Sequence, residues 1–173
     1  MDAFIEIVKY TFPAALMLLL TYLLLSNFVD NEESKRRFYL KKDLQKKSLP
    51  MRFQAFERLT VFLERITPNH LVLRVKPGQL DAKAYAVLLT TNVRSEFDYN
   101  ISQQVYISDE TWRIIVSAKS QMISMINQAA NSLEADATGF DLSRKLIELE
   151  MEVQLFPTKA ALLKLKAEAS RNF

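Results

Sequence analysis

Residues 10–29 of the chain read YTFPAALMLLLTYLLLSNFV, a stretch without a formally charged side chain. An α-helix rises about 1.5 Å per residue, so a helix of this length spans about 30 Å, the thickness of the hydrocarbon core of a bilayer. A surface helix of a soluble domain has a polar face, which this stretch lacks. The stretch therefore predicts a transmembrane helix over residues 10–29.

A cleaved signal peptide is the main alternative for such a stretch. Signal peptides begin with a positive segment and end in small residues before the cleavage site. Here residues 1–9 carry Asp2 and Glu6 against the single cation Lys9, and the apolar run ends in SNFVD without an Ala-x-Ala motif. We therefore expect an anchor that is retained.

The charges that flank the anchor predict its direction, because lysine and arginine resist translocation across the membrane. Only Lys9 precedes the anchor, whereas residues 30–47 are rich in cations. We expect residues 1–9 to lie in the periplasm and the rest of the chain in the cytoplasm. The residues assigned to topology and to contact with anionic lipid are Lys35, Arg36, Arg37, Lys41, Lys42, Lys46 and Lys47.

Nucleic-acid binding is a weaker interpretation of the same basic segment. Single-stranded nucleic acids bind on aromatic platforms combined with positive charge. The segment offers only Phe38 and Tyr39 as aromatic side chains, and the acidic residues Glu32, Glu33 and Asp43 dilute its charge. We therefore expect a membrane-lipid contact and no nucleic acid.

The rest of the chain predicts an all-α domain. The whole sequence contains two glycines, and a chain so poor in glycine favours long helices over tight turns. Residues 30–47 lack Gly and Pro and are expected to continue the anchor as a basic juxtamembrane helix. Ser48, Leu49 and Pro50 are expected to end that helix and to open a second one, so that residues 48–173 form one helical cytoplasmic domain.

Apolar residues at spacings of three and four predict the core-facing side of each helix in this domain. The helices are expected to begin at Ser48, Asp81, Ser108, Asp141 and Pro157, while residues 71–75 fit either a helix or a strand. The expected core positions are Phe53, Phe56, Leu59, Leu63, Ile66, Tyr85, Leu88, Leu89, Val93, Phe97, Trp112, Ile115, Met122, Ile126, Ala129, Leu133, Leu142, Leu146, Leu149, Val153, Leu162, Leu163 and Leu165. Lys119 falls within this pattern and is expected to extend its amine to the surface.

Four charged residues on the helix after Ser48 are candidates for partner binding. Glu57 and Arg58 are repeated one heptad later as Glu64 and Arg65, and none of the four has an opposite charge three or four positions away. Pairing within the helix therefore cannot explain them. They either decorate a solvated face or pair with another helix or another chain.

The usual catalytic and metal-binding patterns are missing from the sequence. Two isolated glycines cannot build a phosphate-binding loop, and one histidine, His70, without any cysteine is a poor basis for a zinc site. The one catalytic arrangement that the sequence leaves open is a pair of carboxylates brought together in three dimensions from Glu57, Glu64 and Glu96. We expect no enzymatic activity, no cofactor, no metal and no small-molecule substrate.

Two segments carry a resemblance to a known family. LPMRFQAFERLTVFLERITPNHLVLR, followed by NISQQVYIS and Trp112, resembles a family of short, uncharacterised single-pass membrane proteins of the Bacteroidota. The resemblance implies a bacterial inner membrane, a helical cytoplasmic domain and no assigned activity. Its most specific residues are Arg52, Gln54, Glu57, Arg58, Glu64, Arg65, Pro68, Asn100, Gln103, Gln104 and Tyr106.

The sequence thus favours an interaction protein, an accessory or scaffold subunit whose helical domain docks on a larger integral membrane complex. A homo-oligomeric scaffold is the alternative, although the anchor has Ala14 and Ala15 but no pair of glycines spaced for tight helix packing. An enzyme of an unfamiliar kind is the third interpretation. The candidate partner-binding residues are Arg52, Glu57, Arg58, Glu64, Arg65, Gln103, Gln104 and Tyr106.

Overall fold

The structure is a computed structural model that describes residues 2–172, with side chains described for residues 16–26, 32–33, 35–40, 42 and 49–171. Its regular elements are α1 (Asp2–Arg65), α2 (Pro68–Arg74), α3 (Ala82–Asp98), a 3₁₀ helix (Ile101–Tyr106), α4 (Asp109–Asn131), α5 (Gly139–Glu152) and α6 (Pro157–Asn172). Over residues 2–172 there is no strand, only an isolated bridge between Asp81 and Thr138. The all-α class is confirmed.

Helix α1 continues without interruption through Pro50, so the expected helix end at Ser48 to Pro50 is wrong. The proline ring fixes φ near the helical value, and the cost of its missing amide is about 3 kcal/mol. Ending the helix there would instead require a new helix to be nucleated a few residues later. By its internal contacts the chain divides into two units, Met1–Leu49 and Pro50–Phe173.

The first unit contains the predicted anchor. No helix is long and apolar enough to cross a membrane within the part of the chain whose side chains the structure describes. Residues 10–15 and 27–29 of the anchor, and the side chains of Lys41, Lys46 and Lys47, lie outside that part.

The second unit is built around α4, which packs against α3, α5 and α6. Four of the expected core residues of α4 are fully buried or nearly so: Ile115, Met122, Ile126 and Ala129. The prediction of core residues was wrong at four positions elsewhere, which lie at the edge of an apolar stripe and whose side chains are exposed to solvent. These exposed residues are Phe53, Leu88, Val153 and Leu163. Phe62 and Phe156 are buried core residues that the spacing rule missed.

The helix starts in the second unit use side-chain caps. Asp81 accepts a hydrogen bond from the amide of Ala84 at 2.7 Å, which confirms it as the cap of α3, and Ser108 caps α4 as expected. Asp141 is not the cap of α5, because α5 begins two residues earlier. Thr138 caps that helix, and Asp141 completes a capping box by accepting a hydrogen bond from the Thr138 amide at 3.0 Å.

Residues 71–75, for which the sequence left helix and strand open, are mostly helical. Helix α2 covers Pro68–Arg74 and buries Leu71 and Val72. Pro68 stands at the start of this helix, where its missing amide costs nothing. The turn expected at Lys76, Pro77 and Gly78 lies at residues 77–80, where the Leu80 amide donates to the Pro77 carbonyl oxygen at 3.1 Å. In it Gly78 adopts a φ of 56°, a value that favours glycine.

Three aromatic rings connect α1, α3 and α4. The Phe97 ring stacks on Trp112 with a centroid distance of 5.3 Å, and the Phe62 ring meets Phe97 edge-on at 5.8 Å. The amine of Lys119 lies 4.2 Å from the centroid of the Phe97 ring and forms a cation–π contact with it. We call Phe62, Phe97 and Trp112 the aromatic column.

The carboxylate of Glu168 fastens helix α6 to the start of α4, beside an ion pair between Lys164 and Glu110 at 2.6 Å. Glu168 accepts hydrogen bonds from the Ser108 amide at 2.8 Å and from the Ser108 hydroxyl at 2.6 Å. Partial burial raises the pKa of Glu168, but the hydrogen bonds from Ser108 and Thr111 and the charge of Arg52 outweigh it and leave this pKa lowered. The carboxylate form is therefore the one that the fold stabilises.

Replacing Trp112 by alanine should destabilise the second unit by about 3 kcal/mol, because it removes one end of the aromatic column. This value is at the low end for a large aromatic residue since the indole is only partly buried. Thermal melting followed by circular dichroism measures the loss. Leu163→Ala is the control, because Leu163 is 60% exposed and its truncation should change the melting temperature little. An unchanged melting temperature for Trp112→Ala would contradict this account.

Replacing Glu168 by glutamine should lower the free energy of unfolding by about 1 kcal/mol at neutral pH. A lowered folded-state pKa contributes stability above the unfolded-state pKa and loses it as the pH falls through the folded-state value. The difference between the wild type and Glu168→Gln should therefore vanish on acidification. Urea denaturation at a series of pH values measures it, and a difference that grows at acid pH would disprove the assignment.

Candidate partner-binding groove

A groove of about 860 Å³ runs along the exposed side of α1 in the second unit. Its walls come from residues 53–65 of α1 and from the end of α3 and the residues that follow it, Glu96, Tyr99 and Asn100. Three large apolar side chains in it are well exposed: Phe53 at 50%, Val61 at 52% and Tyr99 at 75%. We call this surface the α1 groove.

The groove exists because α1 has two distinct faces between residues 54 and 66. The inner face carries Ala55, Leu59, Phe62, Leu63 and Ile66, all of which are buried. The outer face carries the exposed positions, which recur at spacings of three and four. These exposed residues are Gln54, Glu57, Arg58, Val61, Glu64 and Arg65. The candidate charges therefore share one face, with Val61 in its middle.

Arg65 pairs with a neighbouring helix of its own domain. Its guanidinium lies 2.9 Å from Glu96 on α3, and Arg74 lies 3.1 Å from the same carboxylate oxygen. The Glu96 side chain is only 19% exposed, so two guanidiniums neutralise a largely buried carboxylate. Of the two readings left open by the sequence, pairing with another helix describes Arg65.

Glu57 and Arg58 behave differently. Both are exposed and both line the groove, yet among the described residues neither forms an ion pair. Glu64 lies outside the groove, where its carboxylate is 3.7 Å from the Nδ1 atom of His70. The carboxylates of Glu57, Glu64 and Glu96 therefore do not all meet at one site.

His70 has a local structural contact. Its Nδ1 atom lies 2.9 Å from the carbonyl oxygen of Glu64, which links α2 to the end of α1. Within the part of the chain that the structure describes, no group of His, Asp and Glu side chains is arranged to hold a metal ion.

The connector candidates are separated from the groove. Gln103 is buried and its amide nitrogen donates to the Ser102 hydroxyl at 3.1 Å, whereas Gln104 is exposed. The Tyr106 hydroxyl lies 3.9 Å from the sulfur of Met51. Arg52 is half-buried and contributes its charge to Glu168. None of these residues lines the α1 groove.

The basic segment of the first unit carries local ion pairs where its side chains are described. Arg37 contacts Glu33 at 2.7 Å and Lys35 contacts Glu32 at 3.7 Å, each within one turn of α1. Arg36 and Lys42 are exposed. Pairs between exposed side chains contribute little to stability, so these cations stay accessible to other partners.

Sequence reasoning found the charges of the groove and missed its apolar part. Val61 and Tyr99 were not candidates, because an isolated valine among charges and a tyrosine after a helix end are unremarkable in a sequence. The available signal was the position of Val61, four residues from both Glu57 and Arg65 on one helical face. Aromatic and arginine side chains around an apolar centre are enriched at protein-binding surfaces in general.

Comparison with known proteins identifies the family of the chain. No curated protein and no solved structure matches the chain. A family model matches residues 2–172, almost the full length of the sequence. The chain belongs to DUF7935, a family of unknown function.

Proposed function

We propose that the protein is a non-catalytic, single-pass inner-membrane protein that serves as an accessory or scaffold subunit of a larger membrane complex. The domain formed by residues 50–173 docks on its partner through the α1 groove. The observation that carries this proposal is the exposure of Phe53, Val61 and Tyr99 beside Glu57 and Arg58, two charges that form no ion pair with any side chain that the structure describes. Large exposed apolar side chains within a polar rim are typical of interaction sites.

The membrane part of the proposal rests on the first unit. Every described side chain from residue 16 to residue 26 is exposed, and most of them are large and apolar, among them Leu18, Tyr22 and Leu24. A helix with such a surface requires lipid or a protein partner that covers its apolar side chains. The basic segment that follows supports insertion with the second unit in the cytoplasm and a contact with anionic lipid.

The orientation is testable with reporters fused after Phe173. A cytoplasmic reporter should be active and alkaline phosphatase should be inactive, because the cations after the anchor resist translocation. Changing Lys35, Arg36, Arg37, Lys41 and Lys42 together to glutamate should raise the alkaline phosphatase signal. Changing Lys166 and Arg171 to glutamate is the control, since these residues are far from the anchor in the sequence and should leave the orientation unchanged. Strong alkaline phosphatase activity in the wild type would disprove the orientation.

The docking surface is testable by separating folding from association. Arg58→Ala should melt like the wild type, because Arg58 is exposed and makes no ion pair among the described residues. It should nevertheless reduce the recovery of partner chains when the protein is purified from its native membrane. Arg65→Ala should in addition lower the free energy of unfolding by about 1 kcal/mol, because Arg74 is the one counter-ion that Glu96 then keeps within the described part of the chain.

Arg144→Ala is the matched control, since this arginine is 74% exposed and lies outside the α1 groove. Its partner recovery should equal that of the wild type. Equal recovery for Arg58→Ala and Arg144→Ala would remove the groove as the docking surface. Co-purified polytopic chains support an accessory subunit, whereas a symmetric assembly of the 20.0 kDa chain alone supports the self-assembling scaffold.

A further inference from the structure

The outward side of α4 has an unusual composition. Its exposed residues between positions 117 and 131 are serines, asparagines and glutamines, and none of them is charged: Ser117, Ser120, Gln121, Ser124, Asn127, Gln128 and Asn131. We call these residues the α4 amide face. The sequence around them contains no charged residue from Ser120 to Leu133.

The other long helices of the second unit place charges on their exposed sides. These exposed charged residues are Lys83, Arg94 and Asp98 on α3, Arg144, Glu148 and Glu152 on α5, and Lys159, Lys166 and Arg171 on α6. On α4 the exposed charges lie before the amide face, in its first two turns, while the amine of Lys119 lies beside the Phe97 ring. Charged residues are depleted at the centre of protein interfaces, because burial removes their hydration. The α4 amide face therefore has the charge pattern of a surface that a partner covers.

The polar groups of this face are only partly used within α4. The Gln121 amide nitrogen donates to the Ser117 hydroxyl oxygen at 2.9 Å, and the Gln128 amide nitrogen donates to the Ser124 hydroxyl oxygen at 3.0 Å. Each glutamine has a further N–H group and a carbonyl oxygen, and each serine has its own O–H group. The face thus presents donors and acceptors together along about 21 Å of helix.

The chemistry of the face selects its occupant. A charged partner surface would lose hydration there without meeting a counter-charge, and an apolar one would bury amides and hydroxyls without hydrogen bonds. A surface that is uncharged and both donates and accepts hydrogen bonds avoids both costs. The same face of a second copy has these properties, and the half-buried side chains of Ile123 and Met125 beside it add apolar contact.

We infer that two copies of the chain pack against each other through their α4 amide faces, about a two-fold axis that passes near Ser124, the middle of the face. Such a contact uses the same surface of both copies, so each donor or acceptor meets an equivalent set of groups. The inference goes beyond the proposed function, because no residue of α4 lines the α1 groove. Each copy in the pair keeps its own groove for another protein.

Cysteine cross-linking in native membranes tests the contact, since the sequence contains no cysteine. Ser124→Cys in the full-length chain should form, on mild oxidation, a disulfide-linked product of twice the 20.0 kDa chain mass. Ser95→Cys and Ser170→Cys are the controls, because these serines are exposed on α3 and α6. The yield for Ser124→Cys should exceed that of either control at least about tenfold, since a residue near a two-fold axis lies close to its own copy.

A charge exchange at the same position identifies the occupant as a second copy. Copies with two different tags are co-expressed and purified through one tag. When both carry Ser124→Lys, or both carry Ser124→Glu, recovery of the second tag should fall at least about tenfold, because like charges face each other. Pairing Ser124→Lys with Ser124→Glu should restore it. Lysine and glutamate both favour helices, and Ser124 is exposed, so the variants should melt like the wild type. Ser170→Lys in both copies is the control and should leave recovery unchanged.

Three results would overturn the inference: equal cross-linking at Ser124 and at the two control serines, recovery that like charges at Ser124 leave unchanged, or a mixed pair that does not recover. The last result would assign the face to a different protein. The proposed function fails by other results, namely absence of the chain from the membrane fraction or co-purified chains independent of Arg58. A protein that pairs with itself but recovers no other chain keeps the α4 contact and loses the accessory role.

Discussion

The second unit depends on the burial of one side of α4. This helix packs against α3, α5 and α6, and Ile115, Met122 and Ile126 on it are completely buried. The helices around it have 17, 14 and 16 residues, lengths at which an isolated helix is only marginally stable in water, and most helical stability in proteins comes from such packing. The polar contacts follow this arrangement, since Glu168 can accept the hydrogen bond of the Ser108 amide only when α6 already lies beside α4. Hydrophobic burial thus sets the arrangement, and hydrogen bonds fix its register.

Hydrophobic burial and polar contacts also explain the groove. Because α1 turns Leu59, Phe62 and Leu63 inward, its charged residues and Val61 must face outward as one stripe. The end of α3 then supplies the opposite wall with Tyr99, and the pair of Arg65 with Glu96 joins the two walls. Phe53, Val61 and Tyr99 stay exposed on these walls. A partner would therefore meet apolar side chains that are already at the surface, which limits the reorganisation that binding requires.

The sequence predicts the helical class and the helix starts at Asp81, Ser108 and Pro157 well, because these rest on local chemistry. Prediction is wrong where local signals compete. Ser48 with Pro50 resembles a helix start, but helix-forming residues lie on both sides and α1 continues through this point without a break. Asp141 resembles a cap, yet Thr138 fills that place and Asp141 assists it. The groove escapes prediction for a different reason, since the contacts of Arg65 with Glu96 and of Val61 with solvent depend on how α3 packs.

The aromatic column has a consequence for how the molecule can be observed. Trp112 is the only tryptophan in the sequence, and it is partly buried against Phe97, which in turn touches Phe62 in the wall of the groove. Indole fluorescence depends on the polarity and the contacts around the ring. The chain therefore contains an intrinsic optical probe, connected to the groove through two rings, and its emission reports on this part of the domain without any label.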